Sequence, residues 1–551
     1  MTGRRFIRHG AGTVFGAVLF AMLHAAMAAT RIGIMTDTHV GAYGKASLER
    51  LEGCYRLFKE KKVDYIFNLG DIADVHSNAY YRSYAAVRAK VYPEGLPPET
   101  YVFATHDRFE FPNPKGDKEF TAAYADLRRE LGIGHDRYHR FEIEGCTFLL
   151  YPQARDHGRV RREVDAECAA HPGRPLFVLD HVPPFDTIEN SVNGGKAVTR
   201  RAFDPHPEVI VLTGHVHGSL AHEGKIWQDQ FTVLGFGTTK EIPGGGKGSW
   251  YAAVMELDRE KAVIRRYDIE TGAEVRPDDP WTLRFPYDPK TAPYRREVRV
   301  AGRPEPAFAS GAQLVLAPVG EPLDRLDVTF PAAATPDVSR YRVEIQARGK
   351  DGGAWTTRSV VRPHADFTRP PAERRKTFTV KLSSAYFNAN ETVRIAVAAE
   401  DYYGRVGRPL VAEFTVGTTA GWRTVARLKA KTGEFLPVPK NRSGWYVFAD
   451  AGFADLPAKT PCRLVMDLES DLSPDHVASF DIRGGRDGKA LFTHFYAPPG
   501  RTERRYVQEF RRGGDRTGPF GLIAEKSHGG RLRFNEFRVE CRQPVPDGAD
   551  K

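Results

Sequence analysis

Residues 211–218 read VLTGHVHG. An apolar, β-branched run reaches a glycine and then offers His215 and His217, one residue apart. One histidine at a strand end is ordinary, a loop residue bonded to a carbonyl. Two at this spacing direct attention to the other strand ends. Working outward, "RIGIMTD" is followed by His39, and "VDYIFNLGD", "TYVFATHD" and "PLFVLDH" also stop at Asp or His. Each apolar run thus ends in Asp37 and His39, Asp71, His106 and Asp107, His181, or His215 and His217. Helical stretches alternate with these runs. "KASLERLEGCYRLFKEKK" places Leu48, Leu51, Tyr55 and Phe58 on one face, and a polar helical stretch runs from Asn78 to Val91. The alternation predicts an α/β layered domain with strands buried on both faces, and such sheets carry their sites beyond the carboxyl ends of the strands.

At 551 residues the chain is too long for one core. Its 41% hydrophobic and 27% charged residues are those of a soluble globular protein. The N-terminus differs: Arg4, Arg5 and Arg8 precede "AGTVFGAVLFAML", and Ala26-Met27-Ala28 offers a cleavage site. This predicts a signal peptide over 1–28, and a mature protein that is periplasmic or secreted and has no membrane span. "TGRRFIRHG" matches the twin-arginine pattern only in part, so the Sec route stands beside it. The net charge of +10 falls to about +7 once the three leader arginines are removed. The remaining arginines are interleaved with acids, which argues against a nucleic-acid groove. Of five cysteines, Cys462 and Cys541 are placed to close a disulfide, while Cys54, Cys146 and Cys168 lack metal-site spacing.

Five regions follow: the leader at 1–28, the α/β domain at 29–275, a Pro-rich linker at 276–305, and β-rich regions at 306–417 and 418–545. From 306 onward helical periodicity vanishes and alternating strands recur, which predicts two all-β sandwiches. "RYRVEIQARGKDG" and "VRIAVAAEDYYGRVG" resemble the middle strands of a fibronectin type III domain, with Val393 where a tyrosine is usual. The last region is expected to be jelly-roll-like, with "GWYVF" and "THFYAPPG" as aromatics for glycan or cell-surface contact.

Carboxylates mixed with imidazoles suit Mn, Fe, Zn or Co, and there are too many candidate ligands for one ion. Here the residues resemble the calcineurin-like metallophosphoesterases. The chain has Asp37-Thr38-His39, Gly70-Asp71-Ile72-Ala73-Asp74, Ala104-Thr105-His106-Asp107, His181 before Pro183, and Gly214-His215-Val216-His217. The resemblance covers about 30–270 and implies a β-sandwich core flanked by helices, with two divalent or trivalent metal ions. Asp37, His39 and His217 would hold the first ion, Asp71 would bridge, and His181 and His215 would hold the second. His106 would sit over the phosphoryl group, with Asp107 orienting its imidazole. A metal-bound hydroxide would then attack a small-molecule phosphoester. One block departs: Thr105 stands where the family's asparagine ligates the second metal, and Ala104 where it has glycine.

Two further readings stand beside this one. In the first, catalysis is weakened at Thr105 and the β regions bind glycan or a cell surface. The second, an extracellular nuclease, ranks last. Substrate identity lies in loops such as "FDTIENSVNGGKAVTR", and Tyr80, Tyr81 and Arg82 are read as a helix face rather than a pocket.

Overall fold

The computed structural model describes residues 29–42, 44–108, 117–153, 156–191, 195–238, 250–348, 353–369, 371–419 and 421–427, together with the strands between 435 and 542 and residue 460. The leader assigned to 1–28 lies outside them.

The chain opens with β1 (Thr30–Met35), α1 (Lys45–Glu60), β2 (Tyr65–Asn68), α2 (Asn78–Val91) and β3 (Glu99–Tyr101), followed by α3 (Asp117–Leu131). β1 and β2 pair in parallel, as do β2 and β3. Next come β4 (His139–Ile143), β5 (Cys146–Leu150), α4 (His157–Ala170), β6 (Leu176–Leu179), α5 (Ala197–Phe203), β7 (Val209–Thr213), β8 (Ile226–Gln228) and β9 (Thr232–Gly235). They form a second sheet in the order β4-β5-β6-β7-β9-β8. The hairpin β10 (Tyr251–Leu257) and β11 (Lys261–Asp268) then returns to the first sheet and lays β10 antiparallel on β1.

Alternation along each strand explains the layering. In β7, Ile210 and Leu212 join Ile32, Ile34, Phe67, Phe148 and Phe177 in a core between the two sheets. Val209 and Val211 face the other way, onto Val160 and Val164 of α4 and Phe203 of α5. On the far side Leu51, Tyr55 and Phe58 of α1, Tyr81 and Tyr84 of α2 and Leu127 of α3 cover the first sheet. Helices thus flank a two-sheet core. Strands buried on both faces read as continuous apolar runs, which is why they stood out in sequence.

The segment expected to be a linker at 276–305 is a correction. β12 (Glu274–Val275) and β13 (Trp281–Arg284) both pair with β11, and Trp281 and Leu283 are buried in the core between the sheets. Four residues amid prolines give no readable period. A short helix, α6 (Arg296–Val300), follows.

Downstream, β14 (Val315–Val319), β15 (Arg325–Pro331) and β18 (Thr377–Ser383) form one sheet. β16 (Val338–Arg348), β17 (Trp355–Val361), β19 (Thr392–Asp401) and β20 (Leu410–Thr415) form another, in the order β17-β16-β19-β20. The two share one core, with Leu326, Val328 and Phe378 against Val343, Ile345 and Ile395. The last strands make sheets of five and four. Cys462 and Cys541 lie opposite each other in register and are disulfide-bonded.

The segment after β7 ties the first region to the second. His222 lies edge-on to Phe367 and Tyr402, at 5.4 and 4.7 Å between ring centroids. Glu223 meets Arg266 at 2.9 Å and Arg276 at 3.3 Å. Among the described residues no helix is long and apolar enough to cross a membrane.

Candidate metal centre

The site forms where strands of both sheets end. The loop after β1 is hung on the loop after β2: the Asp37 N–H donates to the Gly70 carbonyl at 2.9 Å and the His39 N–H to the Asp71 carbonyl at 3.0 Å. Asp37, His39, Asp71, His215 and His217 all have positive φ, between 24 and 68°. For a non-glycine residue this conformation costs on the order of 1 kcal/mol or more, and such strain gathers at functional sites. Two glycines keep the approach open. A Cβ on Gly214 would lie 2.0 Å from Thr36 Oγ1 and 2.7 Å from Asp37 Oδ2. Gly70, at φ +107°, would put one 2.9 Å from His181 Nδ1 and 2.7 Å from the Ala104 methyl.

These loops bring six side chains together. Asp37, His39 and His217 form one ligand group and Asp71, His181 and His215 another, each with its ligand atoms within 4.8 Å of one another. Asp71 also groups with His39 and His106. Asp37 Oδ1 lies 3.0 Å from His217 Nε2, and Asp71 Oδ2 lies 3.0 Å from His181 Nε2 and 3.9 Å from His39 Nε2. The carboxylate of Asp71 therefore stands between the two groups. Asp37, Asp71, His39 and His181 are almost fully buried.

Residues 30–219 match the family model described as calcineurin-like phosphoesterase. This segment is a calcineurin-like phosphoesterase domain. No curated protein matches the chain. Similar solved structures include a dimetal phosphatase from Danio rerio, 13% identical with a TM-score of 0.36, covering 47% of this chain and 99% of that one. A purple acid phosphatase from yellow lupin seeds is 13% identical at a TM-score of 0.33, covering 46% of this chain and 53% of its own. GAP50 of Plasmodium, described as the anchor in the inner membrane complex, is 13% identical at 0.33, covering 47% and 90%.

The electrostatics of the phosphoesterase domain suit cations. Burial alone would raise the Asp37 carboxyl, but His217 and His181 hold it well below the usual range. Burial would likewise lower the His181 imidazole, but Asp71 and Asp37 raise it to about 10. His39, opposed by burial and favoured by its bonds to Asp37 and Asp74, rises to about 9. Burial and then His181 press His215 down to about 3, so it keeps a lone pair to donate. Protons on His39 and His181 balance the buried carboxylates here, and metal ions would take the place of those protons. His181 Nε2 faces the Asp71 and Asp37 carboxylates at 3.0 and 3.8 Å, and Thr105 Oγ1 is buried with no hydrogen bond among the described residues. An imidazole nitrogen set between two carboxylates fits a metal, and an unanswered hydroxyl fits a water or ion next to it.

The expected role of Asp107 is corrected. Its carboxylate does not orient the His106 ring. Oδ1 accepts the N–H groups of Ile72 and Ala73 at 2.9 and 3.1 Å, and Oδ2 that of Ala104 at 3.1 Å. The His106 ring is held instead by the Asp74 carbonyl, 2.6 Å from Nδ1. Burial and then Asp71 push the Asp107 carboxyl up to about 7. Asp74 is the residue that sequence reasoning left out, although it closes the G-D-x-x-D block. Its Oδ1 also lies 3.1 Å from His39 Nδ1, so one residue steadies two histidines. Tyr81 is fully buried, its hydroxyl donating to the Asp107 carbonyl at 2.8 Å, and Arg82 pairs with Glu130 on the surface.

Proposed function

We propose that this chain is an exported, metal-dependent phosphoesterase acting on a small-molecule phosphomonoester or phosphodiester. The observation that carries the reading is the position of Asp71, whose carboxylate groups with His181 and His215 on one side and with His39, a member of the other ligand group, on the other. Asp37, His39 and His217 would hold one ion, His181 and His215 the other, and Asp71 both. Bound there, two cations would acidify water and offset charge on the phosphoryl oxygens.

His106 is the residue left to act on substrate. Its Nδ1–H donates to the Asp74 carbonyl, which fixes the tautomer. Nε2 is then the nitrogen that meets the phosphoryl group or exchanges a proton at the leaving oxygen. The ring is about one-third exposed, beside the buried Asp37, His39, Asp71 and His181. Leader removal would put the enzyme in the periplasm or outside the cell. The three-and-four strand division downstream supports the fibronectin type III-like reading of 306–417.

The test is a screen of phosphomonoesters and diesters with the purified full-length chain, repeated with a chelator and with His106→Ala. Turnover abolished by both supports the reading. Turnover that survives chelation, or no turnover on any phosphoester with both ions bound, overturns it. The second outcome would favour a binding protein weakened at Thr105, whose hydroxyl is shorter than the family's asparagine amide.

A further inference from the structure

A second set of metal-ligating side chains lies at the other end of β7. Cys168, near the C-terminus of α4, faces His206 and Glu208 on the turn that enters the strand. Their sulfur, nitrogen and oxygen atoms all lie within 4.8 Å of one another. Asp165, one turn before Cys168 on the same helix, brings its Oδ1 to 2.7 Å from His206 Nε2. One oxygen of Glu208 accepts the Gly173 N–H at 3.3 Å; the other is buried and makes no hydrogen bond among the described residues. Cys168 is 8% exposed, while Asp165 is half-exposed, so the cluster is closed within and open at one side. The Arg161 guanidinium lies 3.7 Å from Asp165 Oδ2.

We infer that Cys168, His206 and Glu208 bind a third, structural divalent ion of the zinc class, with Asp165 completing or bracing the set. Thiolate, imidazole and carboxylate together are a donor set that zinc accepts, at about 2.0–2.3 Å from each atom. Ligands around such an ion stand roughly 3.3–3.8 Å apart, so about 1 Å of side-chain movement closes the site. Binding releases the Cys168 proton, since the thiolate is the ligand. Burial and then Glu208, Glu167 and Asp165 hold that thiol up at about 12, and the same carboxylates attract a dication. Cys54 and Cys146, the other free cysteines, are buried and belong to none of the ligand groups found among the described residues. An ion here would clamp α4 to the start of the strand whose far end carries His215 and His217.

Cobalt tests this without reference to activity. The metal-free full-length protein is titrated with Co(II) while near-ultraviolet absorption is followed. Sulfur bound to Co(II) gives a charge-transfer band that nitrogen and oxygen ligands do not, and the dinuclear centre contains no sulfur. The expected result is a band that Cys168→Ser abolishes and Zn(II) displaces. His206→Ala should weaken the ion's binding at least ~10-fold. Zinc stoichiometry should fall by one equivalent in Cys168→Ser, with the variant's fold checked by circular dichroism. Wild-type protein without the band, whether or not it binds two ions, overturns the proposal and leaves a plain His206–Asp165 ion pair. A band that persists in Cys168→Ser overturns it as well. A band without filling of the dinuclear centre would instead count against the phosphoesterase reading.

Discussion

The backbone N–H of His106 donates to Oδ1 of Asp71 at 2.9 Å, while Oδ2 of the same carboxylate faces His181 at 3.0 Å. One side chain thus fixes both the residue proposed to meet substrate and a proposed metal ligand. Replacing Asp71 with Asn should lower metal affinity at both positions by more than ~100-fold, beyond the usual effect of an outer partner. His106→Ala should leave metal content intact and cut kcat by ~100- to 10,000-fold. Elemental analysis beside steady-state kinetics separates the two, and a fall in metal content in His106→Ala would contradict this division of roles.

Asp107 serves the backbone. Three buried N–H groups depend on its carboxylate, so Asp107→Ala should destabilise the fold by about 2–4 kcal/mol, more than one buried polar group left unmet. The measurement is a denaturant midpoint, with kcat per folded molecule and its pH profile as controls. A shifted pH profile at unchanged stability would return Asp107 to the role of orienting His106.

Thr105 is the departure with the clearest metal readout. Thr105→Asn supplies an amide oxygen where a buried hydroxyl now has no hydrogen bond among the described residues. The second ion should bind at least ~10-fold more tightly in the variant. Competition with a chromophoric chelator measures this. Equal affinities would mean that the hydroxyl, or a water it holds, already serves.

His222 makes stability pH-dependent. Burial and then the neighbouring Lys225 and Arg340 cations lower its imidazole from 6.5 to about 4, with Glu189 opposing. Between these values the unfolded chain binds a proton that the folded chain refuses. The contribution is therefore full above about pH 6.5 and is lost as pH falls towards 4, on the order of 3 kcal/mol. His222→Asn keeps an acceptor for the Gly224 N–H, now 2.9 Å from Nδ1. Its urea midpoint should fall less between pH 7 and pH 4.5 than the wild type's. Parallel curves for the two proteins would rule the effect out.

The cluster of carboxylates and imidazoles was legible in the sequence because each member follows an apolar strand, and buried strands announce themselves as β-branched runs. Asp74 was harder to see, because its bond to His106 uses the backbone carbonyl, which every residue has. Asp107 was misread for the reverse reason: a carboxylate beside a histidine suggests a pair, and the N–H groups it serves leave no mark in a sequence. Trp281 and Leu283 were hidden by flanking prolines. The cluster at Cys168 joins a helix to a distant turn, and no spacing pattern marks such a site.

The contact of His222 with Phe367 and Tyr402 bears on how this chain arose. The loop that ends in His217 runs straight on into a seam with the next region, so the two units share a packed boundary. Recombination that moved residues 30–275 alone into another gene would strip His222 of Phe367 and Tyr402, and Glu223 of Arg276 and Arg299. Lineages that inherit this phosphoesterase should therefore keep residues 337–403 beside it, and the seam should diverge more slowly than the outer strands around it.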